Sequence, residues 1–370
     1  MKIGIVTQPL WGNYGGILQN YALQQVLREM GHDPVTLDFM WGNTGIPYLL
    51  SSAKRILSRL AGGGQASWLI PYAPGRTLPE VIEFVDTCVS HTQTFWNGYS
   101  PRLIDRYGLE ALIVGSDQVW RPKYSQAIKE MFLSFAEGRD VARVAYAASF
   151  GTSEWEFSPA QERVCSRLLA KFDAVSVREE DGIPLARRLG AEATVVQDPT
   201  LMLGREGFDR LLGPGAADTA GDPSLGVYIL DPDPAMDRAV ETIARNMGGL
   251  RTVKMKEETH GIGPREWISA IKNARYVLCD SFHGTIFCLL YHVPFISIVN
   301  EQRGGLSRFI SLLRPLGLMD RLADSRDFVR MTTLDSLPPI DWANVDRVLA
   351  EGREHSRRFL RESLTPPRLR

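Results

Sequence analysis

The chain has 370 residues, 44% hydrophobic and 23% charged, as in a folded globular protein of two or three domains. Its 42 lysines and arginines nearly cancel its 43 aspartates and glutamates, leaving a formal net charge of −1. That excludes general affinity for nucleic acid, so any anion site has to be built locally. Cys88, Cys165, Cys279 and Cys288 form no CxxC pair, and the last two sit in apolar runs, which argues for reduced, buried thiols. His283 and His292 are not at a metal-ligand spacing, so no metal site is expected. Residues 1–6 run straight into a strand pattern without a signal peptide. The best apolar stretch, 286–299, is broken by His292 and Pro294, short of a bilayer span. A cytoplasmic protein is expected.

Residues 2–7 read as a buried strand, followed by a glycine-bearing loop, WGNYGG (11–16). Ile17, Tyr21, Leu23, Val26, Leu27 and Met30 then recur at helical spacing, Gly31 stops the helix, and 34–38 form the next strand. This is the opening of a Rossmann-like half. The loop reads G-x-x-G-G and not G-x-G-x-x-G, so a nicotinamide site has little support even with Asp38 near the ribose-acid position. Across 42–105, Gly62, Gly63, Gly64, Pro71, Pro74 and Pro79 mark loops between short helical patches. Short apolar runs at 111–115, 144–148, 174–177 and 194–196 lack strict alternation, as expected of a parallel sheet covered on both faces.

The first domain is expected over 1–203, a glycine-rich linker over 204–224, and a second α/β series over 225–340. A helix from about 342 to 364, within a C-terminal segment 341–370, is expected to cross back over the first domain. Two Rossmann-like domains and a returning helix describe an α/β, glycosyltransferase-B-like arrangement with its ligand cleft between the domains. The arginines of 353–370, diluted by glutamates, read as a solvated helix face, with peripheral contact to the inner face of an anionic membrane as the second reading.

Chemistry-bearing residues collect at strand ends, where open α/β sheets bind ligands. DSFHGT (280–285) puts His283 there, with Gly284 and Thr285 opening a helix. A helix N-terminus suits phosphate or carboxylate, and histidine moves protons near neutral pH. A histidine that only bonds a neighbouring loop is the alternative. VGSDQVW (114–120) groups Ser116, Asp117, Gln118 and Trp120: a base for a hydroxyl and a platform for a sugar face, or simply a helix cap. Asn13, Gly15, Gly16, Gln19 and Asn20 combine close backbone approach with amides suited to sugar hydroxyls, or else form an ordinary turn. Arg178, after another strand, offers a planar fork to carboxylate or phosphate. Lys254, Lys256, Arg303 and Arg308 are further cations that ligand contact or solvated surface would explain, and QDPT (197–200) reads as a structural turn where the first domain closes.

Together, GNYGGILQNYALQ (12–24), VGSDQVW, YAASFG (146–151), VRE (177–179), QDPT and DSFHGT resemble, in this order, the polysaccharide pyruvyl transferase family over about residues 2–322. The resemblance implies a glycosyltransferase-B-like fold. It also implies transfer of the pyruvyl group of phosphoenolpyruvate, as co-substrate and with no other cofactor, to a sugar or lipid-linked sugar of a bacterial surface polysaccharide. The products are a cyclic ketal and phosphate. In that frame His283 protonates the enolpyruvyl group or handles phosphate release, and Arg178, Gly284 and Thr285 lie on the donor side. Asp117 and the 13–20 loop face the acceptor, with Ser116, Gln118 and Trp120. Members often carry arginine two residues before the histidine; here that position is Ser281, and Arg303, Arg308 or Lys254 would supply the cation. Two other readings stay open: a glycosyltransferase using a nucleotide sugar, for which no base-recognition motif is visible, and a non-catalytic glycan-binding protein of the same fold.

Overall fold

The computed structural model describes residues 1–10, 13–40, 78–125, 127–213, 224–255, 262–300 and 305–365. The first lobe opens with Lys2–Val6 (β1), Tyr14–Glu29 (α1), Asp33–Thr36 (β2) and Phe39–Met40 (β3). It continues with Pro79–Cys88 (α2), Phe95–Trp96 (β4), Arg102–Tyr107 (α3), Ala111–Val114 (β5), Ala142–Ala148 (β6) and Pro159–Leu169 (α4). Ala174–Val177 (β7), Gly182–Arg188 (α5), Thr194–Val195 (β8) and Pro199–Leu212 (α6) complete it. Its six-stranded sheet has the order β2-β1-β5-β6-β7-β8, every pair parallel. β5 is buried along its whole length, as a strand covered on both faces must be.

Ser224–Tyr228 (β9), Pro234–Asn246 (α7), Arg251–Lys254 (β10), Pro264–Lys272 (α8) and Tyr276–Cys279 (β11) open the second lobe. Phe282–Tyr291 (α9), Phe295–Val299 (β12), Leu306–Leu313 (α10), Leu322–Asp324 (β13) and Ser325–Phe328 (α11) follow, and Trp342–Ser363 (α12) is the last element among the described residues. The second sheet is five-stranded and parallel, in the order β10-β9-β11-β12-β13.

Caps account for several helix starts. Asn13, Ser158, Asp198, Asp233, Ser281 and Asp341 each accept a backbone N–H from the first turn of the helix they precede. Pro159, Pro199 and Pro234 fill first positions, where a missing N–H costs nothing.

The lobes share apolar core. Tyr14 of α1 lies 5.9 Å from Trp267 of α8, and Phe208 of α6 lies 4.8 Å from Phe287 of α9, centroid to centroid. All but Tyr14 are almost completely buried, and each large side chain so buried stabilises the fold by about 1.5–3 kcal/mol. The returning helix α12 docks on the first lobe: Arg353 donates to the Leu201 carbonyl and Arg357 to Glu29.

One boundary differs from the sequence expectation. Residues 204–212, read as linker, are helical to Leu212, because Phe208 and Leu211 bury against the core. Gly204 (φ 74°) kinks α6 there, and a Cβ on it would lie 2.9 Å from the Arg353 guanidinium. The glycines and prolines noted at 62–75 lie outside the described residues. Among the described residues no helix is long and apolar enough to cross a membrane.

Candidate active site where the lobes meet

β11 delivers the chain into α9, and His283 occupies the first turn of that helix, 5% exposed. The first turn of α1, from the other lobe, lies directly against it. A Cβ built on Gly15 would overlap the imidazole at Nδ1, Cγ and Cε1, so only glycine permits this approach. The other imidazole nitrogen, Nε2, lies 3.5 Å from Asp198 Oδ2.

Asp198 has two tasks. Its Oδ1 caps α6, accepting from the Thr200 N–H at 2.9 Å and the Thr200 hydroxyl at 2.6 Å. Its Oδ2 accepts from Arg178 Nη1 at 2.8 Å and from the Ser116 hydroxyl at 3.0 Å. Arg178 leaves the end of β7 and also faces Asp117 Oδ1 at 3.8 Å and Glu179 Oε2 at 3.9 Å. Its guanidinium carbon lies 4.6 Å from the centre of the Phe282 ring, and that of Arg308 lies 5.6 Å from the same ring.

Burial alone would raise the Asp198 carboxyl, but His283 and then Arg178 outweigh it and hold it below the usual carboxylate range. Burial works against the charge on Arg178 as well, yet Asp198, Asp117 and Glu179 raise it above its ordinary value. Glu179 and Asp117 act on Arg308 too, but they do not offset its burial. Burial and the adjacent Arg178 push it down to about 10, so it stays charged at neutral pH.

Several buried polar atoms here find no hydrogen bond among the described residues: Arg178 Nε and Nη2, Arg308 Nε, Glu179 Oε2 and His283 Nε2. Buried groups left this way are costly unless something else pairs with them. Two guanidiniums with spare N–H groups beside an imidazole suit a small molecule carrying several acidic oxygens, with a proton donor in place. Among the described residues no group of three or more His, Cys, Asp or Glu could hold a metal ion.

Of the residues singled out in the sequence, the structure brings Gly15, Ser116, Asp117, Arg178, His283 and Arg308 together. Gly16 and Asn13 border them: the Asn13 amide donates to Asp117 Oδ2 at 3.3 Å. Asp117 holds φ 75°, a conformation that asparagine and aspartate tolerate better than most residues, and its Oδ1 accepts from the Gln118 N–H.

Others serve the fold. Trp120 is fully buried, donates to the Met131 carbonyl and stacks on Phe132 at 5.0 Å, so it presents no face to a sugar. Asn20 bonds Thr36, and the Gln19 amide donates to Thr7 and the Gly16 carbonyl; both are fully buried, since these amides face the sheet under α1. Gln118 accepts from Arg121 and packs on Gly151. The Ser281 hydroxyl is taken by the Gly284 N–H as a helix cap, and the Thr285 hydroxyl bonds Ser297 inside the core. Lys254 pairs with Asp237 in solvent, on the outermost strand of the second sheet. Arg303 and Lys256 lie outside the described residues.

Asp198, read from sequence as a turn residue, proves to be the hub. The signal was present: it follows β8 at the same sheet edge that supplies Asp117 and Arg178. Phe282 and Glu179 were also missed; Glu179 accepts from the Ser149 hydroxyl and the Phe150 and Gly151 N–H groups, fixing the floor beside Arg178.

Gly15→Ala is expected to force His283 out of place while keeping helix content. Misplacement on the scale of 1 Å costs about 10²-fold in turnover, so a large loss of kcat with unchanged circular dichroism is the expected outcome.

Two parallel α/β lobes meeting on a histidine–carboxylate–arginine cluster define an enzyme of glycosyltransferase-B-like architecture. A sequence model described as "Polysaccharide pyruvyl transferase" matches residues 13–302; the chain belongs to that family and is a transferase. No curated protein matches it. Among solved structures, the Methanocaldococcus jannaschii UDP-GlcNAc 2-epimerase is 9% identical, covering 95% of this chain and 99% of its own, with a TM-score of 0.52. The Rickettsia bellii UDP-N-acetylglucosamine 2-epimerase is also 9% identical, covering 98% and 96%, at 0.49. The Streptomyces sp. SF2575 glycosyltransferase SsfS6, complexed with thymidine diphosphate, is 13% identical, covering 98% and 99%, at 0.44. At such identities the first of these shows a shared fold and nothing more.

Proposed function

We propose that the cluster transfers the pyruvyl group of phosphoenolpyruvate to two hydroxyls of one sugar, making a cyclic ketal and releasing phosphate. The observation that carries this reading is the set of buried N–H groups on Arg178 and Arg308, beside His283, that find no hydrogen bond among the described residues. A carboxylate and a phosphate on one three-carbon donor would fill them. His283 then protonates the methylene carbon, and a sugar hydroxyl adds at the neighbouring carbon as the positive charge develops there. Phosphate departs with the C–O bonding pair, the second hydroxyl closes the ring, and its proton leaves to a base. Fixed guanidinium charge stabilises the departing phosphate without reorganisation. In this reading Asp117, which accepts from the Asn13 amide, relieves the acceptor hydroxyl of its proton.

The test is incubation with phosphoenolpyruvate and a panel of free, nucleotide-linked and lipid-linked sugars. Phosphate should appear only when donor and acceptor are both present, and mass spectrometry should find the pyruvyl group on the sugar. Release of a nucleoside diphosphate in place of phosphate would overturn this reading in favour of glycosyl transfer from a nucleotide sugar.

A further inference from the structure

At the other end of α1 lies a cavity of about 550 Å³ whose lining includes Tyr21, Arg28, Asp86, Cys88, Arg210 and Arg265. Gly15 and Arg28 are thirteen positions apart on one helix, which puts the cavity ~20 Å from His283 at 1.5 Å per residue. It draws on four helices: α1, α2 and α6 of the first lobe and α8 of the second.

Three arginines line this space together with Asp86, and Glu83 and Glu266 also act on Arg265. Arg28 donates to the neutral Gln24 amide, and Arg265 to the Cys88 sulfur at 3.2 Å. Arg210 pairs with Glu29, which also holds Arg357. Asp86, the acid in the lining, is engaged with His91 at 3.3 Å. Arg28 and Arg210 stand in the last turns of their helices, where a cation suits the helix dipole. Arg265 is in the first turn of α8, where a cation opposes it, so local helix chemistry does not explain all three.

Tyr21 is the second, independent observation. It is 8% exposed, its ring packs near Phe84 and Phe208, and its hydroxyl has no hydrogen bond among the described residues. Burial and then the Cys88 sulfur push its pKa up, whereas Arg210, Arg265 and Arg28 pull against them, and all five residues line the cavity. A phenol that lines the same cavity as three arginines suits an acceptor that is also an anion.

We propose that this cavity is a second anion site, taking a phosphate or diphosphate group that ties the first lobe to α8 of the second.

Cys88 supplies the readout, since it is half-buried while Cys165, Cys279 and Cys288 are buried. Its alkylation by iodoacetamide, followed by peptide mass spectrometry on the full chain, should slow saturably with inorganic phosphate or pyrophosphate. Chloride at equal ionic strength should have no such effect. Protection should reach about tenfold at roughly ten times the Kd, by simple mass action. It should persist in Arg308→Ala, which alters the active site, and vanish in Arg210→Gln, whose side chain is 63% exposed. Should Arg210→Gln fail to express, Arg28→Gln serves the same purpose. Unchanged alkylation with either anion, or protection lost in Arg308→Ala and kept in Arg210→Gln, would overturn the proposal. Neither result depends on which donor the active site takes.

Discussion

Asp198→Ala is expected to destabilise the protein by about 3 kcal/mol and to abolish transfer with it. Removing one partner of a buried ion pair generally costs 3–5 kcal/mol, because the remaining charge is stranded. The low end applies here, since Asp117 and Glu179 still stand 3.8 and 3.9 Å from Arg178. Asp198→Asn keeps the cap and loses the charge, so it should fall between alanine and wild type. Chemical denaturation measures both. The pH dependence has a definite sign: the folded carboxyl is held below its unfolded range, so its contribution is fully present above about pH 4 and fades as pH falls further. Acid destabilisation in Asp198→Asn should accordingly be shallower than in wild type. A denaturation midpoint in Asp198→Ala equal to wild type would mean that Arg178 finds full compensation elsewhere.

His283→Gln carries the largest expected effect on rate. Loss of a positioned general acid typically costs 10²–10⁴-fold, and among the described residues no other histidine is bonded into the cluster. Stability should fall by less than in Asp198→Ala, because Asp198 loses the imidazole at 3.5 Å but keeps Arg178, Ser116 and Thr200. Phosphoenolpyruvate should still bind the two arginines. The diagnostic pattern is a collapse of kcat with donor affinity, followed by calorimetry, preserved within a few-fold. Loss of affinity with kcat retained would assign His283 to binding and not to proton transfer.

Much of the architecture was legible because its strands are short apolar runs and its helices carry caps. β11, with Val277, Leu278 and Cys279 buried, is announced by its own residues. β13 is not: Leu322, Ala323 and Asp324 are all half-buried, and the strand exists only because β12 offers it an edge. The site was legible where the strand-end rule applied, which is how Asp117, Arg178 and His283 stood out. It failed where one residue does two jobs. Asp198 before a proline looks like a helix cap, which it is, and only the fold reveals what its other oxygen does. Trp120 failed the opposite way. Polar neighbours made it look exposed, but its surroundings are Phe132, Phe150 and Phe172, which local sequence does not bring near it.

The docking of α12 has a bearing on how the molecule is made. The Gln197 N–H donates to the Ser356 hydroxyl, the Gln197 amide donates to the Leu349 carbonyl, and Arg353 holds the Leu201 carbonyl. The stretch that presents Asp198 is thus braced by residues translated some 150 positions later, counting from Gln197 to Leu349. Domains tend to fold as they leave the ribosome, first lobe before second. A nascent chain can therefore complete both sheets and still lack the brace behind its central carboxylate. Transfer activity is accordingly expected only once α12 has been made and docked.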